Sequence, residues 1–226
     1  NGTHANTTDY ENLTATGKFG NALYLDGTNE HVNVTGYKGI TGSAARTMTA
    51  WIKTSKSDAA IMNWGQNAAL KKWTFRTQTD NGFPGSIRVE INGGSRVGDV
   101  GADDDAWHHV AAVLSGTNLN SLTFYLDGQP LGNSYTGGGG NTINTASSQD
   151  LRFGADHSSR YFKGLIDDAR LYSVALSAAE ILSVYGNGLG DFGYAGPIIT
   201  GPVSVAGTSG NYQIDFKLGN SAENVT

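Results

Sequence analysis

The chain has 226 residues and a formal net charge of −5, from 15 lysines and arginines against 20 aspartates and glutamates. This acidic balance argues against a nucleic-acid partner, because phosphate backbones are bound by clustered basic residues. The sequence has no cysteine, which excludes disulfides, thiol catalysis and cysteine-based zinc sites. The sequence contains no run of about 18 apolar residues, so it predicts no membrane-spanning segment.

Short apolar or alternating segments, separated by clusters of Gly, Asn and Asp, predict many short strands. In chain order they are 22–25, 31–34, 47–54, 59–64, 73–77, 86–91, 106–114, 122–126, 129–133, 151–153 and 164–172. Residues 1–17 are polar and lack periodicity, which predicts an extended loop. About a dozen strands and a single helix near the end indicate an all-β fold, a jelly-roll sandwich of two antiparallel sheets.

The last predicted strand of this series carries an acidic pair, Asp167 and Asp168, in its middle. A buried carboxylate is costly without a cation or donors, so we expect this pair to have partners. Regular alternation places Asp167 on one face of the strand and Asp168 on the other. Ser177 and Glu180 then form an S-x-x-E capping box, which predicts a short helix ending at Gly186.

Several segments resemble, in the same order, the laminin-G-like (concanavalin A-like, pentraxin-related) jelly-roll domain of bacterial extracellular proteins. They are GKFGNALYLDG at 17–27, MTAWIKT at 48–54, DAWHHVAAV at 105–113, LTFYLDGQ at 122–129, LRFGA at 151–155, and FKGLIDDARLY with ALSAAEI within 162–181. The resemblance assigns residues 1–192 to this domain, with the family's usual first strand missing. Residues 193–226 resemble a linker followed by the start of a bacterial Ig-like β domain.

The sequence gives no sign of catalysis. Some glucanases with this sandwich carry paired carboxylates at E-x-D-x-E spacing, which retaining hydrolysis needs at short range. Glu90 has no acidic residue two or four positions further on. His108 and His109 are adjacent in a strand, so they point to opposite faces and favour a structural role. We therefore predict no catalytic residues and no enzyme.

The resemblance implies calcium at two places. A structural Ca²⁺ between Asp26 and Asp167 is expected to tie the beginning of the domain to its end, because carboxylates and turn carbonyls are calcium ligands. The alternative is that Asp26 only makes a turn and Asp167 only accepts backbone hydrogen bonds. In the pentraxin branch a second, functional calcium lies between two loops, and the matching oxygen donors here are Asn67 and Asp156.

The loops also offer aromatic and planar polar side chains, which are the groups that recognise sugars. The candidate ligand-binding residues are Trp64, Trp73, Arg76, His157, Arg160 and Tyr161. Trp64 and Trp73 flank a Gly-Gln-Asn-Ala loop, which favours exposure of one of them over the alternative of core packing.

These features predict a non-catalytic, calcium-stabilised module that binds a polysaccharide or glycoconjugate. The resemblance places it outside the cell or on its surface, beside further β domains of a multidomain bacterial protein such as an adhesin or a polysaccharide-degrading enzyme. Two alternatives stay open: a structural spacer of an adhesin without a ligand, and a polysaccharide hydrolase or lyase with an unrecognised site.

Overall fold

The computed structural model describes residues 2–4, 14–187 and 217–219, which form sixteen strands and one α-helix. The strands are β1 Gly2–His4, β2 Thr14–Thr16, β3 Asn21–Asp26, β4 Val32–Val34, β5 Arg46–Lys53, β6 Ala60–Gly65, β7 Lys72–Thr77, β8 Ser86–Glu90, β9 Ser95–Gly101, β10 Trp107–Leu114, β11 Leu122–Leu126, β12 Gln129–Pro130, β13 Asn133–Gly137, β14 Leu151–Phe153, β15 Lys163–Tyr172 and β16 Lys217–Gly219. The helix α1 spans Ala178–Asn187, and a single 3₁₀ turn spans Leu119–Ser121.

The strands form two sheets, as the all-β prediction requires. Sheet A is antiparallel, with the order β1-β4-β14-β6-β7-β8-β9-β13. Sheet B has the order β12-β11-β10-β5-β15-β3-β2, with β16 lying parallel beside β15. The non-sequential strand orders reflect a chain that repeatedly crosses between the sheets, which is typical of a jelly roll. The predicted fold class is confirmed.

The hydrophobic core lies between the two sheets. Alternation in β5 turns Met48, Ala50 and Ile52 inward, and alternation in β7 turns Trp73 and Phe75 toward them. All five side chains are fully buried. The intervening residues of the same strands point to the outer faces of the sandwich, where the two sheets differ.

A β-bulge in β15 breaks the alternation that the sequence predicts for this strand. Asp167 pairs with Trp51 and Arg170 pairs with Thr49, so two residues of β15 lie opposite a single residue of β5. Asp168, with a φ of 44°, takes the left-handed conformation at this point. The extra residue shifts the faces, and the strict alternation expected beyond Asp167 is therefore wrong.

Helix α1 begins with the predicted capping box. The N–H of Glu180 donates to Oγ of Ser177 at 3.3 Å, and the N–H of Ser177 donates to Oε2 of Glu180 at 2.7 Å. Ile181 of the helix then packs on Val113 and Tyr125, on the outer face of sheet B. The predicted end at Gly186 is wrong by one residue, because the helix continues to Asn187.

Other differences concern segments with weak periodicity. Residues 1–17 contain β1 and β2 where a loop was expected, and β9 was not predicted. The predicted strand 129–133 divides into β12, which pairs with β11 in sheet B, and the beginning of β13, which pairs with β9 in sheet A. The proposed domain at 193–226 lies outside the described residues except for β16, and the missing first strand stays a prediction.

Candidate functional site

A row of polar side chains crosses the outer face of sheet A. The strand registers place its members directly opposite one another, from β4 through β14, β6, β7 and β8 to β9. They are Asn33, Arg152, Asn63, Thr74, Glu90 and Ser95. The row is linked by hydrogen bonds: Arg152 Nε donates to Oδ1 of Asn33 at 3.0 Å, and Thr74 Oγ1 donates to Oδ1 of Asn63 at 2.7 Å.

Beside this row, three cationic side chains surround one carboxylate. Glu90 accepts a hydrogen bond from Nζ of Lys72 through Oε1, and Oε2 lies 3.2 Å from Nη2 of Arg76 and 3.4 Å from Nη2 of Arg88. Burial alone raises the pKa of Glu90, but the hydrogen bond and charge of Lys72, with the charges of the two arginines, outweigh it and hold the pKa below its ordinary value. Arg88 Nη1 also binds Asp80 at 2.6 Å.

A second group of ion pairs joins this face to the loop after β14. Asp58 accepts hydrogen bonds from Nη1 of Arg76 and pairs with Nε of Arg160, the latter at 2.9 Å. Arg160 Nη1 binds Oδ2 of Asp156 at 2.8 Å. The loop that carries Asp156 and Arg160 is therefore held against the edge of the polar face.

Despite these contacts, some buried polar atoms of the face have no hydrogen-bond partner within the described part of the chain. They include Nε of Arg76, Nε of Arg88 and Nε2 of His157. The desolvation of an unsatisfied buried group costs about 1–3 kcal/mol.

The row opens at one end into a depression of about 460 Å³. Its lining is polar: Asn33, Thr35, Lys38, Ser148, Gln149, Asp150 and Arg152. Lys38 and Asp150 form an ion pair of 2.6 Å on its wall. Amide, hydroxyl and guanidinium groups thus converge on a concave surface.

The structure contradicts the prediction that Trp64 or Trp73 is an exposed ligand platform. Both are fully buried in the core, with their rings stacked at a centroid distance of 5.9 Å. Trp64 Nε1 donates to the carbonyl of Ile40 at 2.9 Å, so its polar atom is also satisfied internally. The alternative of core packing is correct for both.

The other predicted ligand-binding residues lie at or beside the polar face. Arg76 and Arg160 are joined through Asp58, as described above. Burial, with the charges of Arg152 and Lys72, lowers the pKa of His157, which places this ring near both cations. Tyr161 lies at the same end, with its ring centroid 6.3 Å from that of His31.

The structure does not bring Asp26 and Asp167 together. Asp26 pairs with Lys163 in the register of β3 and β15, four residues along the strand from Asp167, which corresponds to about 13 Å. Asp167 instead accepts the backbone N–H of Phe19 through Oδ2 at 2.8 Å and that of Asp168 through Oδ1 at 2.7 Å. The two aspartates cannot share one ion in this arrangement.

The turn at Asp26 already holds a cation from the protein. Lys56 Nζ donates to the carbonyl of Gly27 at 3.3 Å and to that of Tyr161 at 2.8 Å. Asp26 itself accepts the N–H of Thr28 at 2.7 Å. The turn carbonyl expected to bind calcium is therefore occupied by an ammonium group.

Asn67 and Asp156 are also far apart. Asn67 follows the end of β6 and contacts Asn92 at 3.3 Å. Asp156 lies near the opposite end of this strand, because it binds Arg160, which also pairs with Asp58 just before β6 begins. Oδ1 of Asp156 accepts two backbone N–H groups, and Oδ2 binds the guanidinium. The proposed second calcium cannot use both residues.

In the residues that the structure describes, no group of three or more His, Asp or Glu side chains is arranged to hold a metal ion. Calcium at Asp26 stays a prediction, but the donors around it fit a calcium site poorly.

Sequence reasoning missed Lys72, Arg88 and Arg152 as members of the site. The signal was present in the central strands, where KWTFRT and SIRVE alternate apolar residues with polar or charged ones. Lys72, Arg76 and Arg88 of these strands are buried, and charged residues are almost never buried unless they are paired.

The family comparison agrees with this architecture. Residues 26–182 match the laminin G model of the concanavalin A-like lectin/glucanases superfamily, and the chain belongs to this superfamily. No curated protein sequence matches the chain.

Similar folds occur in solved structures from bacteria and animals. Domain 4 of AbnA, an extracellular arabinanase from Geobacillus stearothermophilus solved with arabinotriose, is 19% identical, with a TM-score of 0.60 over 76% of this chain and 80% of that chain. The SAP-like pentraxin of Limulus polyphemus is 16% identical, with a TM-score of 0.51 over 71% and 78%. The CBM40 of the Ruminococcus gnavus IT-sialidase is 13% identical, with a TM-score of 0.50 over 64% and 84%.

No helix in the described part of the chain has the length and apolar character needed to cross a bilayer.

Proposed function

We propose that this chain is a non-catalytic carbohydrate-binding module, and that the sugar binds in the depression beside Arg152 on the outer face of sheet A. The observation that carries the proposal is the in-register polar row that opens into a concave, polar-lined surface. Sugar hydroxyls are both donors and acceptors, so they are matched by amides, hydroxyls and guanidinium groups held in fixed positions.

Two ring side chains lie near Arg152 as well. His31 and Tyr161 both lie close enough to Arg152 to interact with its charge, and both are only half-buried. Rings of this kind can contact the C–H surface of a pyranose or furanose, while Asn33 and Gln149 bond its hydroxyls.

The similar structures support a carbohydrate ligand. Domain 4 of AbnA was solved with arabinotriose, and the sialidase neighbour is a carbohydrate-binding module of family 40. AbnA is described as extracellular. We extend these properties to this chain as part of the proposal: a module of a larger secreted or surface-attached protein.

The state of Glu90 supports binding over catalysis. A general acid in a glycosidase needs a pKa raised toward the working pH. The three cations around Glu90 lower its pKa instead, and both of its oxygens are engaged. A carboxylate held in this way cannot deliver a proton at neutral pH.

The test is a glycan array followed by calorimetry on the hits, comparing two matched double variants. We expect Asn33→Ala with Gln149→Ala, which removes two amides from the depression, to weaken binding about tenfold or more. The control is Thr123→Ala with Gln129→Ala, two exposed residues on strands of sheet B, and it should bind like the wild type.

Absence of any glycan ligand with a Kd below the millimolar range would overturn the proposal and favour the spacer alternative. Equal weakening in both double variants would contradict the location of the site. Release of reducing sugar from a polysaccharide panel would overturn the non-catalytic assignment.

A further inference from the structure

Arg152 differs from the other cations of the polar face, because among the described residues it forms no ion pair and only the more distant carboxylate of Asp156 acts on its charge. Lys72, Arg76, Arg88 and Arg160 each form at least one ion pair. Arg152 donates from Nε to the amide oxygen of Asn33 at 3.0 Å and from Nη1 to the carbonyl of Asp156 at 3.5 Å. In the described part of the chain, its Nη2 has no hydrogen-bond partner.

The charge of the Arg152 guanidinium affects the pKa values of two nearby histidines, His31 and His157. Burial is the main cause of the lowered pKa of His31, and the charge of Arg152 adds to it. The same two causes, in the same order, lower the pKa of His157, with a further contribution from Lys72. The pKa of Arg152 itself is lowered by burial, while the charges of Tyr161 and Asp156 act in the opposite direction.

The rest of the depression does not cancel this charge. Its other charged lining residues, Lys38 and Asp150, neutralise each other in an ion pair of 2.6 Å. The depression thus carries about one net positive charge, although the whole chain carries −5. An anionic ligand group is attracted to this place in preference to the remainder of the surface.

We propose that the sugar bound here carries a carboxylate, and that Arg152 binds this carboxylate. The proposal rests on the proposed function, since it names the class of sugar for the same depression. A planar guanidinium fixed at Nε and Nη1, with Nη2 open, matches a planar carboxylate better than it matches a hydroxyl. Uronic acids and sialic acids share this chemistry.

The experiment compares each acidic oligosaccharide with its own methyl ester, which keeps the ring and the hydroxyls but removes the charge. Oligogalacturonate, a glucuronate-bearing xylo-oligosaccharide and sialyllactose are the three probes, so that uronic and sialic sources are distinguished. For at least one probe we expect the wild type to bind the acid about ten to a hundred times more tightly than the ester.

Arg152→Gln should remove this preference, so that the acid and its ester bind with equal affinity. Arg152→Lys should retain only part of the preference, because an ammonium group cannot form the paired contact. The matched control is Arg96→Gln: within the described residues Arg96 donates only to the carbonyls of Leu119 and Asn120, so its loss should leave the preference intact.

The outcomes separate the two proposals. If neutral glycans bind in the depression but acid and ester bind equally, the carboxylate assignment fails and the proposed function stands. If Arg152→Gln keeps the acid preference, or if sulfated but not carboxylated sugars bind, the assignment is also overturned. If no glycan of any kind binds, the proposed function itself has failed.

Discussion

In both sheets, alternating strands turn one set of side chains to an outer face, but the two outer faces differ in what they carry and in what covers them. The outer face of sheet A carries the polar row and its ion pairs, and it opens into a depression. The outer face of sheet B is covered by the chain itself, through helix α1 and the turn at 17–20.

Helix α1 and the turn at 17–20 bury the large aromatic side chain of Trp51 on the outer face of sheet B. Trp51 is only 3% exposed, with its ring centroid 5.6 Å from that of His109, 5.4 Å from that of Tyr185 on α1 and 6.0 Å from that of Phe19. Nζ of Lys18 lies 4.3 Å from the same ring. This face is a small second core rather than a binding surface.

The difference shows where stability and binding are expected to reside. Large apolar side chains outside the main core are covered by a local element. On sheet A the central polar side chains are themselves buried, and the exposed residues belong to the depression at one end of the row. Variants of the covered face should therefore change the free energy of unfolding, and variants of the depression should change affinity.

The largest effect is expected from Trp51→Ala. Removal of a buried tryptophan costs about 3–5 kcal/mol, so the free energy of unfolding measured by urea denaturation should fall by that amount. Sugar affinity measured well below the melting temperature should be unchanged. Arg152→Gln is the reverse control, with a change in stability below about 1 kcal/mol and a clear change in binding.

A Trp51→Ala protein that is folded but has lost sugar binding would break the separation of the two faces. So would an Arg152→Gln protein that is destabilised as strongly as Trp51→Ala.

The next effect concerns pH. Burial, with the charge of Arg170, lowers the pKa of His109 from 6.5 to about 4, although Asp127 acts in the opposite direction. Below pH 6.5 His109 is protonated in the unfolded chain, whereas in the folded protein it stays neutral until about pH 4. Stability is therefore lost as pH falls through this window, by up to about 3 kcal/mol.

His109→Phe keeps a ring beside Trp51 and removes this titration, so its stability should depend less on pH between 6.5 and 4. His157→Phe, on the polar face, is the matched control. His157 is half-buried and its pKa is lowered in the same direction, but its smaller desolvation should make the change in slope smaller. Equal changes in slope would contradict the expectation that the more deeply buried histidine dominates the pH dependence.

The sequence was sufficient for the fold but only partly for the site. Periodicity and turn residues predicted most strands, and Ser177 with Glu180 predicted the helix start correctly. The alternation in β7 also predicts that Trp73 is buried. Trp73 shares the inward face of the strand with Phe75, whereas Lys72 and Arg76 lie on the other face. The loop beside Trp73 points instead to exposure, and the structure shows that the strand pattern is the correct guide.

The rest of the site depends on pairing between distant residues. Arg152 reaches Asn33 across 119 positions, and the register of β14 with β6 puts Asn63 on its other side. No local pattern encodes those registers. No local pattern predicts the bulge at Asp168 either. One extra residue moves the following side chains to the other face of the strand without changing its composition.

The smallest effect is expected from calcium, at the turn that connects β3 of sheet B with β4 of sheet A. A bound ion stabilises by RT ln(1 + [L]/Kd), which reaches about 2.7 kcal/mol at a hundredfold excess over Kd. We expect less than about 1 kcal/mol between millimolar Ca²⁺ and EDTA, measured by thermal melting. The reason is that Lys56 already occupies the carbonyl of Gly27 beside Asp26.

Lys56→Ala supplies the sharper form of this test, because it frees that carbonyl and removes the competing charge. Its melting temperature should respond to Ca²⁺ more than that of the wild type, while Lys53→Ala, a lysine at the end of β5, should respond like the wild type. A wild-type shift of several degrees that Asp26→Asn abolishes would show that calcium binds despite the lysine. The turn would then join the two sheets through an ion, and removing calcium would loosen the polar face and the covered face together.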